Sequence, residues 1–257
     1  MENLVVTTIQ TNLLWENIDD NLTQLAEKVD QIKGTTDIIV LPEMFSTGFS
    51  MQPKKLAENS LGKTFHWLKQ QAQKANAAIT GSYIVQENGQ YFNRLVWMRP
   101  DGDYATYNKK HLFSLSEEPR HYTAGQKKLI VNYKGWKICP LICYDLRFPV
   151  WSRNIENYGL LLYVANWPEK RSHHWRSLLM ARAIENQTYT IGVNRVGMDG
   201  NDFYHSGNTS VIDYAGNTLV HNAHLEQVTT VELDYQKQQT FRQQFPFLAD
   251  KDVFTLQ

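Results

Sequence analysis

Short apolar segments alternate with amphipathic segments along most of the 257 residues. Residues 4–9 and 37–41 are β-branched or fully apolar and predict strands. Between them, apolar side chains recur at intervals of four and three positions, at Ile18, Leu22, Leu25, Val29 and Ile32. This spacing predicts an amphipathic helix. Strands that alternate with helices in this way are typical of the α/β class.

The alternation continues to residue 233 and predicts two packed sheets. Further strands are predicted at 77–85, 91–98, 103–107, 136–143, 160–165, 189–193, 210–213 and 228–233, further helices at 65–75, 149–157 and 172–187, and coil at 108–125. In the helix at 172–187 we expect five side chains to face inward: Trp175, Leu178, Leu179, Ala183 and Ile184. Asn-Gly and Asp-Gly turns at 88–89 and 101–102 predict hairpins, so the sheets are mixed. Several strands are apolar on both faces, which favours two sheets packed together with helices outside.

No linker, repeat or low-complexity tract interrupts the pattern, which predicts one domain over residues 1–257. The segment 235–257 is rich in glutamine yet carries four phenylalanines: Phe241, Phe245, Phe247 and Phe254. A solvated tail rarely keeps so many aromatic side chains. We therefore expect this tail to pack on its own subunit or on a partner.

Charge and cysteine content narrow the class of protein. The 26 Lys and Arg residues balance the 26 Asp and Glu residues, so no broad basic surface for nucleic acid is expected. The N-terminus lacks the features of a signal peptide, and no segment approaches the ~18 apolar residues of a membrane span. Cys139 and Cys143 would stand about 13 Å apart on one strand, too far for a disulfide, which suits a reducing cytoplasm. Two cysteines without a second ligand pair do not indicate a zinc site.

The candidate chemistry starts at Cys143. An apolar stretch over residues 138–142 ends at this thiol, and Pro149 can open a helix soon afterwards. A thiol at such a corner projects past the sheet edge, where backbone N–H groups of the turn can point at the same place. A buried, inert cysteine at a strand end explains the run equally well. The run alone leaves both interpretations open.

Two other motifs place charged groups at strand ends. Glu43 stands just past an apolar strand and is either a turn cap or a general base held in a cleft. Lys109 and Lys110 close a hairpin and form either a solvated basic corner or an ammonium turned towards an anion. In layered α/β folds such strand ends gather into one crevice. A carboxylate, an ammonium and a thiol in one crevice suit covalent acyl transfer.

These motifs resemble the nitrilase superfamily of carbon–nitrogen hydrolases, in the family's order and over nearly the whole chain. They are Leu41-Pro-Glu-Met44, Tyr107-Asn-Lys-Lys-His-Leu-Phe113 and Ile142-Cys-Tyr-Asp-Leu-Arg-Phe-Pro149. The resemblance implies a Glu–Lys–Cys triad at Glu43, Lys109 and Cys143, the lysine being the one two residues before the motif's histidine. It also implies a second glutamate at Glu118, although Pro119 departs from related sequences. It further implies a four-layer αββα sandwich, a homodimer with residues 235–257 at the interface, and no metal or organic cofactor.

The closest resemblance is to YafV-type and Nit2-like omega-amidases, which hydrolyse the terminal amide of 2-oxoglutaramate and related dicarboxylate monoamides. The segments that carry it are Tyr163-Val-Ala-Asn-Trp-Pro168 and Ala181-Arg-Ala-Ile-Glu-Asn-Gln187. The implied mechanism uses the backbone N–H of Tyr144 as a second oxyanion donor beside the lysine. A free substrate carboxylate needs a cation nearby, and the candidates are Arg147, Arg171 and Arg195. Each arginine is also compatible with a surface ion pair. Trp167 follows a predicted strand and either forms a wall of the pocket or packs in the core.

Three alternatives remain open at this stage. Another amidase of the superfamily, such as a deaminated glutathione amidase, an N-carbamoyl hydrolase or a nitrilase, would share every motif and differ in pocket shape. A papain-like hydrolase would use His173 or His205 as its base and leave the glutamate and lysine motifs unexplained. A catalytically inactive member of the fold could act as a binding or scaffold protein.

Overall fold

The computed structural model describes residues 2–32 and 35–255. The strands are β1 Leu4–Gln10, β2 Ile38–Val40, β3 Glu58–Asn59, β4 Ala78–Glu87, β5 Gln90–Met98, β6 Tyr104–Asn108, β7 Val131–Tyr133, β8 Trp136–Ile142, β9 Leu160–Ala165, β10 Tyr189–Asn194, β11 Val196–Met198, β12 Tyr204–Ile212, β13 Thr218–Ala223 and β14 Gln227–Leu233. The α-helices are α1 Ile18–Asp30, α2 Pro53–Leu56, α3 Lys63–Ala75, α4 Glu118–His121, α5 Pro149–Ser152, α6 Ser172–Asn186 and α7 Tyr235–Gln244. Short 3₁₀ helices span Ser114–Ser116, Cys143–Arg147, Glu169–Arg171 and Phe247–Asp250. Within these ranges no helix combines the length and the apolar character that crossing a bilayer requires.

The strands form two mixed sheets. The first has the order β14-β1-β2-β4-β5-β6 with β3 beside β4, and the second has the order β11-β12-β10-β9-β8-β7 with β13 beside β12. Parallel pairing joins β1, β2 and β4 in the first sheet and β8, β9 and β10 in the second. The hairpins predicted from the turn residues pair antiparallel, β4 with β5 and β5 with β6. Parallel central strands bring their carboxyl ends to the same edge of each sheet.

The two sheets pack face to face, and helices cover both outer faces. The inner core joins first-sheet side chains such as Val6 and Trp97 to second-sheet side chains such as Ile138 and Leu162. On one outer face, apolar side chains of α1 and α3 pack against β1, β2 and β4. On the other, α6 buries Trp175 against the second sheet. Each central strand is covered on both faces, which explains its nearly continuous apolar sequence. The arrangement of helix, sheet, sheet and helix layers confirms the predicted αββα sandwich.

Three local predictions were wrong. The helix expected over 149–157 ends at Ser152, because the side chain of Asn154 bonds both the N–H and the carbonyl of Tyr158 and closes a loop instead. Ile184 on α6 is 51 % exposed rather than inward-facing. Arg182 takes the buried position on that helix, where its guanidinium donates to the carbonyl of Leu146. The expected coil over 108–125 contains a 3₁₀ turn and α4.

The C-terminal segment packs in part on its own chain. Gln238 of α7 is fully buried and donates to the carbonyl of Gly159, and Arg242 donates to the carbonyls of Tyr158 and Gln187. Phe247 beyond the helix is 62 % exposed. The helix thus docks on the second sheet, whereas the placement of the tail at a dimer interface stays a prediction.

Candidate active site

The predicted triad residues lie where strands of the two sheets end. Glu43 follows β2 after two residues, and Lys109 follows β6 directly, so both come from the first sheet. Cys143 follows β8 and Asn166 follows the neighbouring strand β9, so both come from the second sheet. The site therefore forms at the junction of the sheets. Even the contact between Glu43 and Lys109, both from the first sheet, joins residues 66 positions apart.

A buried ammonium joins two buried carboxylates. The Nζ atom of Lys109 lies 2.9 Å from Oε1 of Glu43 and 3.0 and 3.1 Å from the two carboxylate oxygens of Glu118. The side chains of all three residues have no solvent exposure. An ammonium has three donors, so these two glutamates satisfy Lys109 completely. Lys110 points elsewhere, because its Nζ donates to Gln126 at the surface.

Burial and the neighbouring charges act in opposite directions on the pKa values of Lys109 and Glu118. Burial alone would lower the pKa of Lys109, but the carboxylates of Glu118 and Glu43 outweigh it and raise that pKa well above its usual range. Lys109 is therefore a permanent cation. Burial raises the pKa of Glu118 above its ordinary value, against the lowering by Lys109. Lys109 therefore opposes the effect of burial on Glu118 and favours the ionised form of that carboxyl.

Glu43 is held by amides from both sheets rather than capping a turn. Its Oε1 accepts from Nδ2 of Asn93 at 2.8 Å, and its Oε2 accepts from the backbone N–H of Asn166 at 2.8 Å. Nδ2 of Asn166 donates to the backbone carbonyl of Glu43. Because a carbonyl can only accept, this contact determines which way the side-chain amide of Asn166 is oriented. These contacts aim the carboxylate at the site.

Cys143 occupies a strained corner. Its φ of 43° lies in the left-handed region that non-glycine residues rarely adopt. It opens a 3₁₀ helix, so the first N–H groups of this turn, including that of Tyr144, have no partner within the helix. Burial and the nearby Glu43 carboxylate raise the pKa of the Cys143 thiol well above its ordinary value, against the lowering by Lys109. The resting thiol is therefore protonated and needs a base to become a nucleophile.

The proline after Glu118 begins a helix instead of distorting the loop. Pro119 stands in the first turn of α4, where its missing N–H costs nothing. Oε2 of Glu118 accepts from the backbone N–H of Phe113 at 2.5 Å and so closes the loop between them. This departure from related sequences leaves the carboxylate beside Lys109.

A cavity of about 360 Å³ opens over the thiol. Cys143 and Lys109 line it, and so do the four residues predicted to contact substrate: Tyr144, Arg147, Trp167 and Arg171. Trp167 combines both roles considered for it, since it lines the cavity and also packs at 5.4 Å against the ring of Trp175. A second cavity of about 450 Å³ lies against α7 and contains none of the predicted site residues.

Two guanidiniums, those of Arg147 and Arg171, stand in the cavity wall. Arg147 lies 4.8 Å from the ring of Trp167, and Arg171 lies 5.3 Å from the ring of Phe113. Within residues 2–32 and 35–255, neither is within 4.0 Å of an Asp or Glu oxygen, so neither forms the surface ion pair considered for it. Burial lowers the pKa of Arg171, and the charge of Arg147 lowers it further. Two like charges that line one cavity favour an anionic ligand between them.

Arg195 does not belong to this group, which corrects its candidacy. Its guanidinium is fully buried and donates to the carbonyls of Leu13, Val196 and Met198 and to Oδ1 of Asn12. These contacts hold β11 against the segment that follows β1. Its role is structural.

Sequence reasoning missed several polar residues of the site. Asn166 directly follows β9, and the rule that singled out the thiol at the end of β8 would also have found it. Asn93 stands beside Arg94 in β5 and is buried between Phe92 and the apolar run Leu95–Met98, which is a usable signal of a buried polar role. Asp199 and His205 also line the cavity, and the sequence had suggested His205 only as the base of a papain-like hydrolase. Burial, with a smaller effect of Arg195, lowers the pKa of His205 to about 4, so this histidine is neutral at pH 7.

Residues 5–243 match the sequence profile of the family described as carbon-nitrogen hydrolase. The chain belongs to the carbon-nitrogen hydrolase family. Among its relatives, omega-amidase YafV of Escherichia coli strain K12 is 44% identical over 260 residues, with 100% of both chains covered. The 2-oxoglutaramate amidase of Bacillus subtilis strain 168 is 30% identical, with 97% of this chain and 98% of that protein covered.

Solved structures agree with this carbon-nitrogen hydrolase fold. A CN-hydrolase superfamily protein from Xanthomonas campestris, solved with an arsenic adduct in its active site, superposes with a TM-score of 0.98. It is 39% identical, and 100% of each chain is covered. Family membership over the whole chain confirms the resemblance, and the alternative of a papain-like hydrolase is wrong.

Proposed function

We propose that this carbon-nitrogen hydrolase is an omega-amidase that releases ammonia from 2-oxoglutaramate and related dicarboxylate monoamides. The observation that carries the proposal is that Arg147 and Arg171, which form no ion pair with the carboxylates of the described residues, line the cavity that opens over Cys143. The thiol end of the cavity suits an amide, and the guanidinium end suits a carboxylate. A monoamide of a short dicarboxylic acid carries both groups on one chain. The relatives named omega-amidase and 2-oxoglutaramate amidase support the same substrate class.

In the first half of the proposed reaction, Glu43 takes the thiol proton as Cys143 attacks the amide carbon. The carbonyl oxygen becomes an oxyanion, which Lys109 and the N–H of Tyr144 stabilise. A donor of this kind contributes about 3 kcal/mol in the transition state. Because Lys109 donates to two glutamates in the free enzyme, one of its bonds to Glu118 must give way to the oxyanion. Glu43 then returns its proton to the leaving nitrogen, ammonia departs, and a thioester remains.

In the second half, water replaces the ammonia. Glu43 removes a proton from the water as its oxygen attacks the thioester carbon, and Glu118 helps to position that water. The same oxyanion donors act again. The carbon–sulfur bond breaks, the thiolate regains the proton from Glu43, and the carboxylic acid leaves. Each atom of the amide and the water is accounted for without a metal or an organic cofactor.

A substrate panel tests this function through ammonia release. We expect 2-oxoglutaramate and succinamate to be hydrolysed faster than glutamine and asparagine, because the ammonium group of the amino acids would meet two guanidiniums. A simple nitrile should be the poorest substrate. Faster turnover of the nitrile or of an N-carbamoyl amino acid would instead support one of the other activities of the superfamily.

The same assay with arginine variants tests whether Arg171 binds the carboxylate of the substrate as proposed. Arg171→Gln should raise the KM for 2-oxoglutaramate about 10-fold or more, the equivalent of one charged hydrogen bond. Its kcat for a neutral amide such as butyramide should stay within about 3-fold of the wild type. Arg176→Gln is the matched control, since this exposed arginine of α6 does not line the cavity. Equal losses on the charged and the neutral amide would refute the assignment.

We infer that the enzyme is a cytoplasmic homodimer of single-domain chains with residues 235–257 near the interface. Two free, buried cysteines suit a reducing compartment. Exposed apolar side chains gather around α6 and the tail, among them Met180, Ile184 and Phe247. Sedimentation should give twice the mass of one 29.9 kDa chain, and a monomer at micromolar concentration would contradict the inference.

A further inference from the structure

A fully buried acid, Asp145, links the two halves of the site. Its Oδ1 accepts from the backbone N–H of His111 at 3.0 Å and from Nδ1 of the same residue at 2.8 Å. Its Oδ2 accepts from the backbone N–H of Ile142 at 3.0 Å and from the hydroxyl of Tyr107 at 2.7 Å. The carboxylate has no solvent exposure, and these four bonds satisfy both of its oxygens.

The donors to this carboxylate surround the two groups that must cooperate in catalysis. Tyr107 and His111 flank Lys109, each two residues away. Ile142 immediately precedes Cys143. Lys109 follows a strand of the first sheet and Cys143 follows a strand of the second, so pairing within a sheet does not determine their separation. The bonds of Asp145 bridge this gap directly.

The surroundings make this connection rigid. The Tyr107 hydroxyl also accepts from Nε1 of Trp151 at 3.0 Å and from the backbone N–H of Lys110 at 3.2 Å. The His111 ring stacks on Phe148, with centroids 3.7 Å apart and planes 6° from parallel. A connected and satisfied network of this kind holds its members in one arrangement.

We propose that Asp145 is a positioning residue that sets the Lys109 ammonium at the correct distance from the carbon that Cys143 attacks. An oxyanion is stabilised only by donors about 2.7–3.1 Å from its final position. A shift of about 1 Å can cost on the order of 100-fold in rate. Asp145 bonds neither Glu43 nor the thiol, so it acts on the oxyanion and leaves the deprotonation of Cys143 to Glu43. The inference rests on the proposed acyl-transfer mechanism.

The test compares two reactions of the same thiol in Asp145→Asn. The asparagine keeps the size of the side chain but replaces one acceptor oxygen with an NH₂ group that faces a donor. We expect kcat for amide hydrolysis to fall about 100-fold with KM within about 3-fold of the wild type. Alkylation of Cys143 by iodoacetamide should stay within about 3-fold, because displacement at a saturated carbon forms no oxyanion. The milder His111→Ala, which loses one of the four bonds, should lower kcat about 10-fold with the same unchanged alkylation.

Asp213→Asn is the matched control, because Asp213 also accepts three hydrogen bonds in a turn and does not line the cavity. It should leave both rates unchanged. Parallel losses of hydrolysis and alkylation in Asp145→Asn would show a merely structural role, and an unchanged kcat would remove any role. If Asp145→Asn does not fold, His111→Ala decides. Wild-type enzyme that ignores 2-oxoglutaramate but hydrolyses another amide would refute the proposed substrate, and the comparison would then be made with that amide.

Discussion

Cys143→Ala is expected to abolish ammonia release from 2-oxoglutaramate, a loss of about 10⁴-fold or more, while the fold stays intact. Without the sulfur no thioester can form, and the remaining donors bind an amide that nothing attacks. The residue is 9 % exposed and contacts solvent mainly through the cavity, so the loss of one sulfur atom disturbs little packing. Ammonia release under saturating substrate measures the effect, and a thermal melt verifies the fold.

Glu43→Gln should have almost the same effect through a different step. The amide preserves the shape of the side chain but cannot accept the thiol proton, and the raised pKa of Cys143 leaves few thiolates at pH 7. Cys139→Ala is the matched control, because this second buried thiol lies within β8, and it should retain activity. Full activity in either Cys143→Ala or Glu43→Gln would overturn the mechanism.

Lys109→Met should remove activity and stability together. Loss of the ammonium removes one oxyanion donor, a fall in kcat of about 10³-fold. It also leaves Glu43 and Glu118 buried without their cation, which should lower the free energy of unfolding by about 3–5 kcal/mol. Lys110→Met is the matched control, since its ammonium donates to Gln126 at the surface and contacts neither glutamate of the site, and it should change both quantities little. The reverse result would mean that the lysines have exchanged roles.

The stability loss in Lys109→Met should depend on pH in a definite direction. Burial already raises the pKa of Glu118 in the wild type, and removal of Lys109 must raise it further. A carboxyl whose folded pKa exceeds its unfolded value of about 4.3 binds more protons when folded, so stability falls as pH rises through that window. The difference between Lys109→Met and wild type should therefore be largest near pH 7 and shrink towards pH 5. Urea unfolding at both pH values measures it, and a constant difference would show that the buried acids are not its cause.

The local sequence pattern was sufficient to predict a residue's position wherever that position depends only on the strand or helix to which the residue belongs. Strands β2, β8 and β9 contain long apolar runs, which stop at Pro42, Cys143 and Asn166, so the ends of these strands were visible in the sequence. Pattern failed where a specific hydrogen-bond partner decided the outcome. The helix after Pro149 stops because the side chain of Asn154 bonds the backbone of Tyr158. Arg195 is held in part by the carbonyl of Leu13 and by Oδ1 of Asn12, which are 182 and 183 positions away.

The sequence by itself determined the αββα class, the family and the order of the three motifs, because periodicity and short motifs are properties of contiguous residues. Only the tertiary structure decided which ammonium turns inward, which amides bond Glu43, and which arginines line the cavity. The contact of Asn166 with Glu43 spans 123 positions and that of Tyr107 with Asp145 spans 38. Such contacts arise when two sheets meet face to face, and no local pattern encodes the distance between them.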